Sequence, residues 1–326
     1  YTALPPVHTA LDAMEAAEGG SGREAVGAAE AAAGTEEPRA VAGEVAGAAA
    51  KDAAGIAGPA EVAGAVPASE LAQPAGSTAS VVIAHLLPDL LNLYGDGGNV
   101  RILEQRLHWR GIPVEVRRIT HGETVDFSTV DLVFMGGGPD REQKLASEQL
   151  LAMRDDLAAY VEADGPLLAI CGGYQILGTQ WLWGDELVEG LALIDMETRR
   201  PGTSANRLIG DMMLTSPLAS RPVIGYENHA GRTYLGTGVE CFGRVVGKAG
   251  FGNNDSEGVE GVRYRNVVGT YSHGPLLSKN PEVADWLLAR ALEHWAERTG
   301  GAAPAWEPLD DAAEVAANEV MVRRLS

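Results

Sequence analysis

Several things are scarce in this chain, and each shortage excludes something. There are two cysteines, Cys171 and Cys241, in 326 residues. A disulfide framework is therefore not expected, and free thiols suit a reducing cytoplasm. No apolar run nears the ~18 residues that a membrane helix needs, and no basic segment followed by an apolar one opens the chain as a signal peptide would. Basic residues are few: 25 Lys and Arg stand against 45 Asp and Glu, a formal net charge of −20. That balance argues against a nucleic acid or an anionic membrane surface as partner. Residues 1–79 are short of large apolar side chains and, after Tyr1, hold no Phe, Tyr or Trp. Ala, Gly, Glu, Val and Pro dominate there, and they cannot bury enough surface to offset the entropy of ordering. A disordered, low-complexity extension over 1–79 is the expectation.

From Ser80 onward the pattern changes. Val81–Leu87 reads as a strand, Asn99–Arg110 as a helix, and Val114–Ile119 and Asp131–Met135 as two further strands. Gln143–Glu162 has one continuous helical periodicity, and Leu167–Ile170 is an apolar strand. Strands alternating with helices of this length predict an α/β fold with a mainly parallel sheet, covered on both faces. After about residue 190, shorter strands at Leu208–Leu214, Val223–Tyr226, Phe242–Val246 and Val267–Tyr271 are expected to extend that sheet at one edge. Pro281–Arg298 reads as a last amphipathic helix, which places the main domain at residues 80–300. Residues 301–326 form a tail with a helix expected over Asp310–Arg324.

The chemistry-bearing stretch is Leu167-Leu168-Ala169-Ile170-Cys171-Gly172-Gly173-Tyr174-Gln175. An apolar strand ends abruptly at a cysteine, two glycines follow, and a helical pattern begins. A nucleophile elbow reads in this way, with the thiol at the tip of a sheet and a helix N-terminus behind it. Free cysteine also fills cores as a small hydrophobe, and Cys241 has only that context. A base is offered by Val267-Val268-Gly269-Thr270-Tyr271-Ser272-His273-Gly274-Pro275, where His273 sits just past a strand end. The loop Met135-Gly136-Gly137-Gly138-Pro139-Asp140 lacks the Lys-Ser/Thr of a phosphate-binding loop. An oxyanion hole built from the N–H groups of Gly137 or Gly138 with that of Gly172 is the better reading. Asp96-Gly97-Gly98-Asn99 reads either as a cap for the following helix or as part of the mouth of a site.

Together these elements resemble the class I (triad-type) glutamine amidotransferases. Gly225-Tyr226-Glu227-Asn228-His229-Ala230-Gly231-Arg232-Thr233 and Tyr271-Ser272-His273-Gly274-Pro275 resemble the cobyric acid synthase-like branch. Leu91-Asn92-Leu93-Tyr94-Gly95-Asp96-Gly97-Gly98-Asn99, Gly136-Gly137-Gly138-Pro139-Asp140-Arg141-Glu142-Gln143, Asn206-Arg207-Leu208-Ile209-Gly210-Asp211 and Gly250-Phe251-Gly252-Asn253-Asn254-Asp255 are similar to the amidotransferase subunits of lipid II isoglutaminyl synthases. The resemblance covers residues 80–298 and implies a three-layer fold with a mainly parallel central sheet.

It also implies that Cys171 is the nucleophile, His273 the general base, and Arg207 the residue that holds the α-carboxylate of L-glutamine. Glu227 and His229 then either support the site or shape the partner interface. Pro275 occupies the position where many class I enzymes carry the acid that orients the histidine. Either Cys171 and His273 form a dyad, or an acid from elsewhere, such as Asp96 or Glu227, takes that role. No cofactor or metal ligand set is expected in this chain. The resemblance implies a separate Mur-ligase-like subunit that uses ATP and Mg, in a heterodimer or higher complex, and amidates the D-glutamate of lipid II. That places the chain in the cytoplasm near the inner face of the membrane. An amidotransferase subunit serving a corrinoid synthetase and a non-catalytic binding subunit are the alternatives.

Overall fold

The computed structural model describes residues 79–183, 186–200 and 206–326; the expected extension up to residue 78 lies outside the described residues. From Val81 the order is β1 (Val81–Leu86), α1 (Gly97–Trp109), β2 (Val114–Ile119), β3 (Leu132–Met135), α2 (Asp140–Leu151), α3 (Arg154–Glu162), β4 (Leu167–Ile170) and α4 (Gly172–Ile176). Short strands follow: β5 (Gln180–Trp183), β6 (Glu186–Glu189), β7 (Met196–Arg199), β8 (Leu208–Thr215), β9 (Val223–His229), β10 (Arg232–Leu235), β11 (Gly243–Val245), β12 (Val259–Glu260), β13 (Val262–Tyr264) and β14 (Val267–Thr270). Two helices close the chain, α5 (Pro281–Thr299) and α6 (Ala312–Leu325).

The central sheet has the order β13-β14-β4-β3-β1-β2, and only β13 runs antiparallel to its neighbour. β1, β3, β4 and β14 are buried along their whole length, as uninterrupted apolar strands must be in a sheet covered on both faces. The chain leaves β1 toward β2 and returns through β3 toward β4. Right-handed crossovers in these two directions put their helices on opposite faces. α1 packs on β2 and on α5, which lies over β1 and β3, while α2 packs on α4, which lies against β4 and β14. This is the expected three-layer α/β arrangement.

Two expectations need correction. The helix expected over Gln143–Glu162 is two helices, broken at Ala152 and Met153, where Met153 leaves helical geometry (φ −111°, ψ 11°). Leu150, Met153 and Leu157 are all buried and keep a spacing of three to four residues, so the apolar rhythm runs straight through the break. The later strands, moreover, do not extend the central sheet at one edge, apart from β14 and the short β13. β10-β7-β5-β6 and β12-β11-β8-β9 form two separate four-stranded sheets. The long antiparallel β8–β9 ladder satisfies its own backbone groups, and β13 already occupies the edge beyond β14.

The tail packs onto the domain. Arg106, 2% exposed, binds Asp285 and reaches Asp311 with both terminal nitrogens. The Arg110 guanidinium lies 3.8 Å from the Trp306 ring centre. α6 then sets Leu325 against Met213 and Ile224. Among the described residues no helix is long and apolar enough to cross a membrane.

Candidate active site

Four neighbouring parallel strands, β14, β4, β3 and β1, bring their carboxyl ends to one edge, where open α/β sheets bind ligands. Each end carries one part of the site. β4 runs into Cys171, which takes φ +49° and ψ −104° before α4 starts. A left-handed φ on a non-glycine residue costs about 1–3 kcal/mol. Here two backbone bonds hold it: Cys171 N donates to Thr270 O at 2.8 Å, and Gln175 N donates to Cys171 O at 3.0 Å. Cys171 is 8% exposed and borders a cavity of about 430 Å³ lined by Gly138, Gln143, Gln175, Arg207 and His229. A wider cleft of about 840 Å³ opens by Phe127, Ala163 and Arg298, at the other end of the strands, and no cysteine lines it.

His273 follows β14 and is pinned by a bridge to Tyr226 of β9, with His273 N donating to Tyr226 O at 2.8 Å. That approach requires glycine next door, because a Cβ on Gly225 would lie 2.6 Å from the Ser272 side chain. His273 Nδ1 lies 3.1 Å from Asp96 Oδ1, and both side chains are buried. The other oxygen of Asp96 accepts the Gly137 N–H at 2.8 Å. Asp96 makes no side-chain capping bond to α1, and Asn99 spends its Oδ1 on Leu277 N, so the capping reading of this loop falls. Asp96, not Glu227, is the acid beside the histidine. Its bond also removes Gly137 from the expected oxyanion donors. The N–H groups of Gly138 and Gly172 have no acceptor among the described residues. Gly137 serves by its lack of a side chain: a Cβ there would sit 3.0 Å from Cys171 Cβ and 3.1 Å from His273 Cε1.

The same figures put the cysteine and the histidine ring on either side of one point. His273 Nε2 is buried and has no hydrogen-bond partner among the described residues, which leaves it for the thiol and the substrate. Burial lowers the affinity of this ring for a proton, but the thiolate charge of Cys171 and the Asp96 carboxylate outweigh it and raise the pKa from 6.5 to about 10. Stability linked to this proton is therefore present in full below pH 6.5 and is lost as pH rises through about 10. In Cys171→Ala the thiolate contribution vanishes, so an NMR titration of the His273 ring is expected to show a lower midpoint. An unchanged midpoint would mean that the thiolate does not hold the proton.

Glu227 and His229 are buried, and His229 lines the cavity. Glu227 accepts N–H groups of Phe251 and Gly252, and its Oε2 lies 3.3 Å from His229 Nε2. His229 stacks on Tyr271 with ring centres 3.5 Å apart, and burial keeps its pKa below the ordinary imidazole value. Arg207 stands exposed at the cavity rim, where its Nε donates to Asn228 Oδ1 and its Nη2 to Asn228 O, both at 2.7 Å. Asn228 also donates to the Tyr94 hydroxyl at 2.6 Å, and the Tyr94 ring meets His273 edge to face at 5.0 Å. Sequence reasoning gave no role to Tyr94, Gln143, Gln175 or Asn228. Each lies within a motif quoted for the resemblance or the elbow, and that position was the one available signal.

Over residues 82–281 the chain matches the CobB/CobQ-like glutamine amidotransferase domain. The lipid II isoglutaminyl synthase (glutamine-hydrolyzing) subunit GatD of Staphylococcus aureus is 41% identical over 247 residues, 75% of this chain and 96% of that protein. The subunit of the same name from Streptococcus pneumoniae is 38% identical, over 65% of this chain and 80% of that protein. A cobyric acid synthase of Listeria innocua is 29% identical, over 46% of this chain and 29% of that protein. With its buried cysteine, histidine and aspartate at one sheet edge, the chain belongs to the CobB/CobQ-like glutamine amidotransferase family.

Proposed function

We propose that this chain hydrolyses L-glutamine through a thioester on Cys171 and hands the ammonia to a separate ATP-dependent, Mur-ligase-like subunit. That partner amidates the D-glutamate of lipid II to D-isoglutamine in peptidoglycan synthesis. The observation that carries the hydrolytic half is Cys171 on its elbow with His273 across from it, held by Asp96. The acceptor is supported by similarity over 96% and 80% of the length of the two lipid II isoglutaminyl synthase subunits. A corrinoid acceptor has the weaker support, because cobyric acid synthases match over a shorter segment.

The α-carboxylate of glutamine binds Arg207, whose planar fork suits two parallel hydrogen bonds. Cys171 thiolate attacks the side-chain carbonyl carbon, and the oxygen that becomes negative takes hydrogen bonds from the N–H groups of Gly138 and Gly172. One such donor is worth about 3–4 kcal/mol of barrier. His273 gives its Nε2 proton to the departing amine, so the C–N bond breaks and ammonia leaves. The ring, now neutral, takes a proton from water as it attacks the thioester, releasing glutamate and restoring the thiol. Asp96 keeps the Nδ1 proton in place throughout. ATP and Mg act in the partner, and this chain needs no cofactor of its own. Lipid II is membrane-bound, so the pair works in the cytoplasm at the inner face of the membrane.

Reconstitution tests the reading. The full chain, a candidate ligase, ATP, lipid II and glutamine with a heavy amide nitrogen are expected to give lipid II carrying that nitrogen. Ammonia release without lipid II amidation, together with transfer to a corrinoid acid, would overturn the acceptor. Arg207→Ala is expected to raise KM for glutamine by about 10- to 100-fold while kcat changes less, because a carboxylate clamp binds ground and transition states alike. Steady-state kinetics with an unchanged KM would rule out the clamp.

A further inference from the structure

The cavity beside Cys171 contains a side chain that hydrolysis, as described, does not use. Gln143 stands in the first turn of α2, is 3% exposed, and borders the cavity with Gly138 and Cys171. A buried chain of hydrogen bonds holds its amide. Gln143 Nε2 donates to Gln175 Oε1 at 2.9 Å, Gln175 Nε2 donates to the Tyr271 hydroxyl at 3.0 Å, and that hydroxyl meets Thr233 Oγ1 at 2.6 Å. Gln143 Oε1 accepts no hydrogen bond among the described residues. Its place is defined by Gly172: a Cβ there would lie 2.9 Å from Gln143 Oε1 and 3.2 Å from Gly138 N. An acceptor oxygen and a free backbone donor thus both border the space beside Gly172, the residue that follows the nucleophile.

A carboxamide matches that pair, since its oxygen accepts and its NH2 donates. We propose that Gln143 reads the NH2 of the substrate carboxamide and is the residue by which this site selects an amide. An ester brings no donor and leaves Oε1 unpaired, and an ionised acid would face it oxygen to oxygen. A site built around a hydrogen bond rejects analogues that lack it far more strongly than an apolar pocket can reject an added group. This inference rests on the glutamine hydrolysis proposed above.

The test compares kcat/KM of the full chain for L-glutamine and for L-glutamate γ-methyl ester, which forms the same thioester without an NH donor. In Gln143→Met, which keeps the length but has no amide oxygen, the glutamine-to-ester ratio is expected to fall about 10- to 100-fold. Gln143→Leu carries the same expectation should the methionine variant fail to fold. Gln143→Glu, which retains an acceptor oxygen, is expected to return the ratio toward the wild-type value. An unchanged ratio, including a parallel loss on both substrates, overturns the proposal, as does a ratio in Gln143→Glu as low as in Gln143→Met. Wild-type protein inactive on both substrates would sink the hydrolysis reading as well; wild-type activity with an unchanged ratio sinks this inference alone.

Discussion

Replacing Cys171 with alanine is expected to remove ammonia release from glutamine, with a loss on the order of 10⁴-fold or more, as when a covalent nucleophile is deleted elsewhere. The thioester route has no substitute in the cavity. Gly138, Gly172 and Arg207 remain to bind glutamine, but none supplies a nucleophile. Glutamine affinity is expected to survive, so the defect lies in kcat. A glutamine-like diazo-ketone is expected to label Cys171 and spare Cys241, which is half-buried and lies outside the cavity. The measurement is ammonia production together with mass mapping of the labelled peptide. Label on Cys241, or release of ammonia by the alanine variant near the wild-type rate, would refute the assignment.

Asp96→Asn is expected to lower kcat by about 10²- to 10⁴-fold with little change in glutamine affinity. The carboxylate accepts twice in the native site, once from the His273 ring and once from the Gly137 N–H. An asparagine has one acceptor oxygen and one NH2, so it can serve only one of these donors. If the oxygen stays with Gly137, the NH2 faces Nδ1 and forces the proton onto Nε2, the nitrogen that must receive it from the thiol. If the amide turns over, NH2 meets N–H at Gly137, and the loop between β3 and α2 is left with an unpaired buried donor. Both arrangements damage the base or the oxyanion loop. A pH–rate profile separates this from general loss of structure, because the limb due to the histidine is expected to move. A wild-type rate and profile in Asp96→Asn would leave Cys171 and His273 as a dyad.

Much of the site was legible because it is local. Ile170-Cys171-Gly172-Gly173 holds strand end, candidate nucleophile and helix start in four consecutive residues, and the positive φ at Cys171 is what a strand-to-helix elbow needs. The apolar strands were legible for the same reason: a segment buried on both faces must be apolar at every position. The break between α2 and α3 was not, because Met153 keeps the apolar spacing whether or not the helix bends. Nor was the grouping of the later strands, since half-exposed strands read alike in an edge position and in a separate hairpin.

The sequence by itself determined the sheet class, the thiol at the elbow, and, through Pro275, that no acid follows His273 at the usual distance. Only the tertiary structure decided which acid replaces it. Asp96 is 177 positions away from His273 along the chain and meets it because β1 and β14 end at the same edge. The same fold decided that Gly137 gives its N–H to Asp96 rather than to a substrate oxygen, and that Gln143 brings a bare amide oxygen to the cavity. A carboxylate on the residue just before a helix start is chemically suited both to capping the helix and to holding a histidine. Which donor comes within about 3 Å of it depends on how strands far apart in the chain are ordered in the sheet, and no local pattern encodes that order.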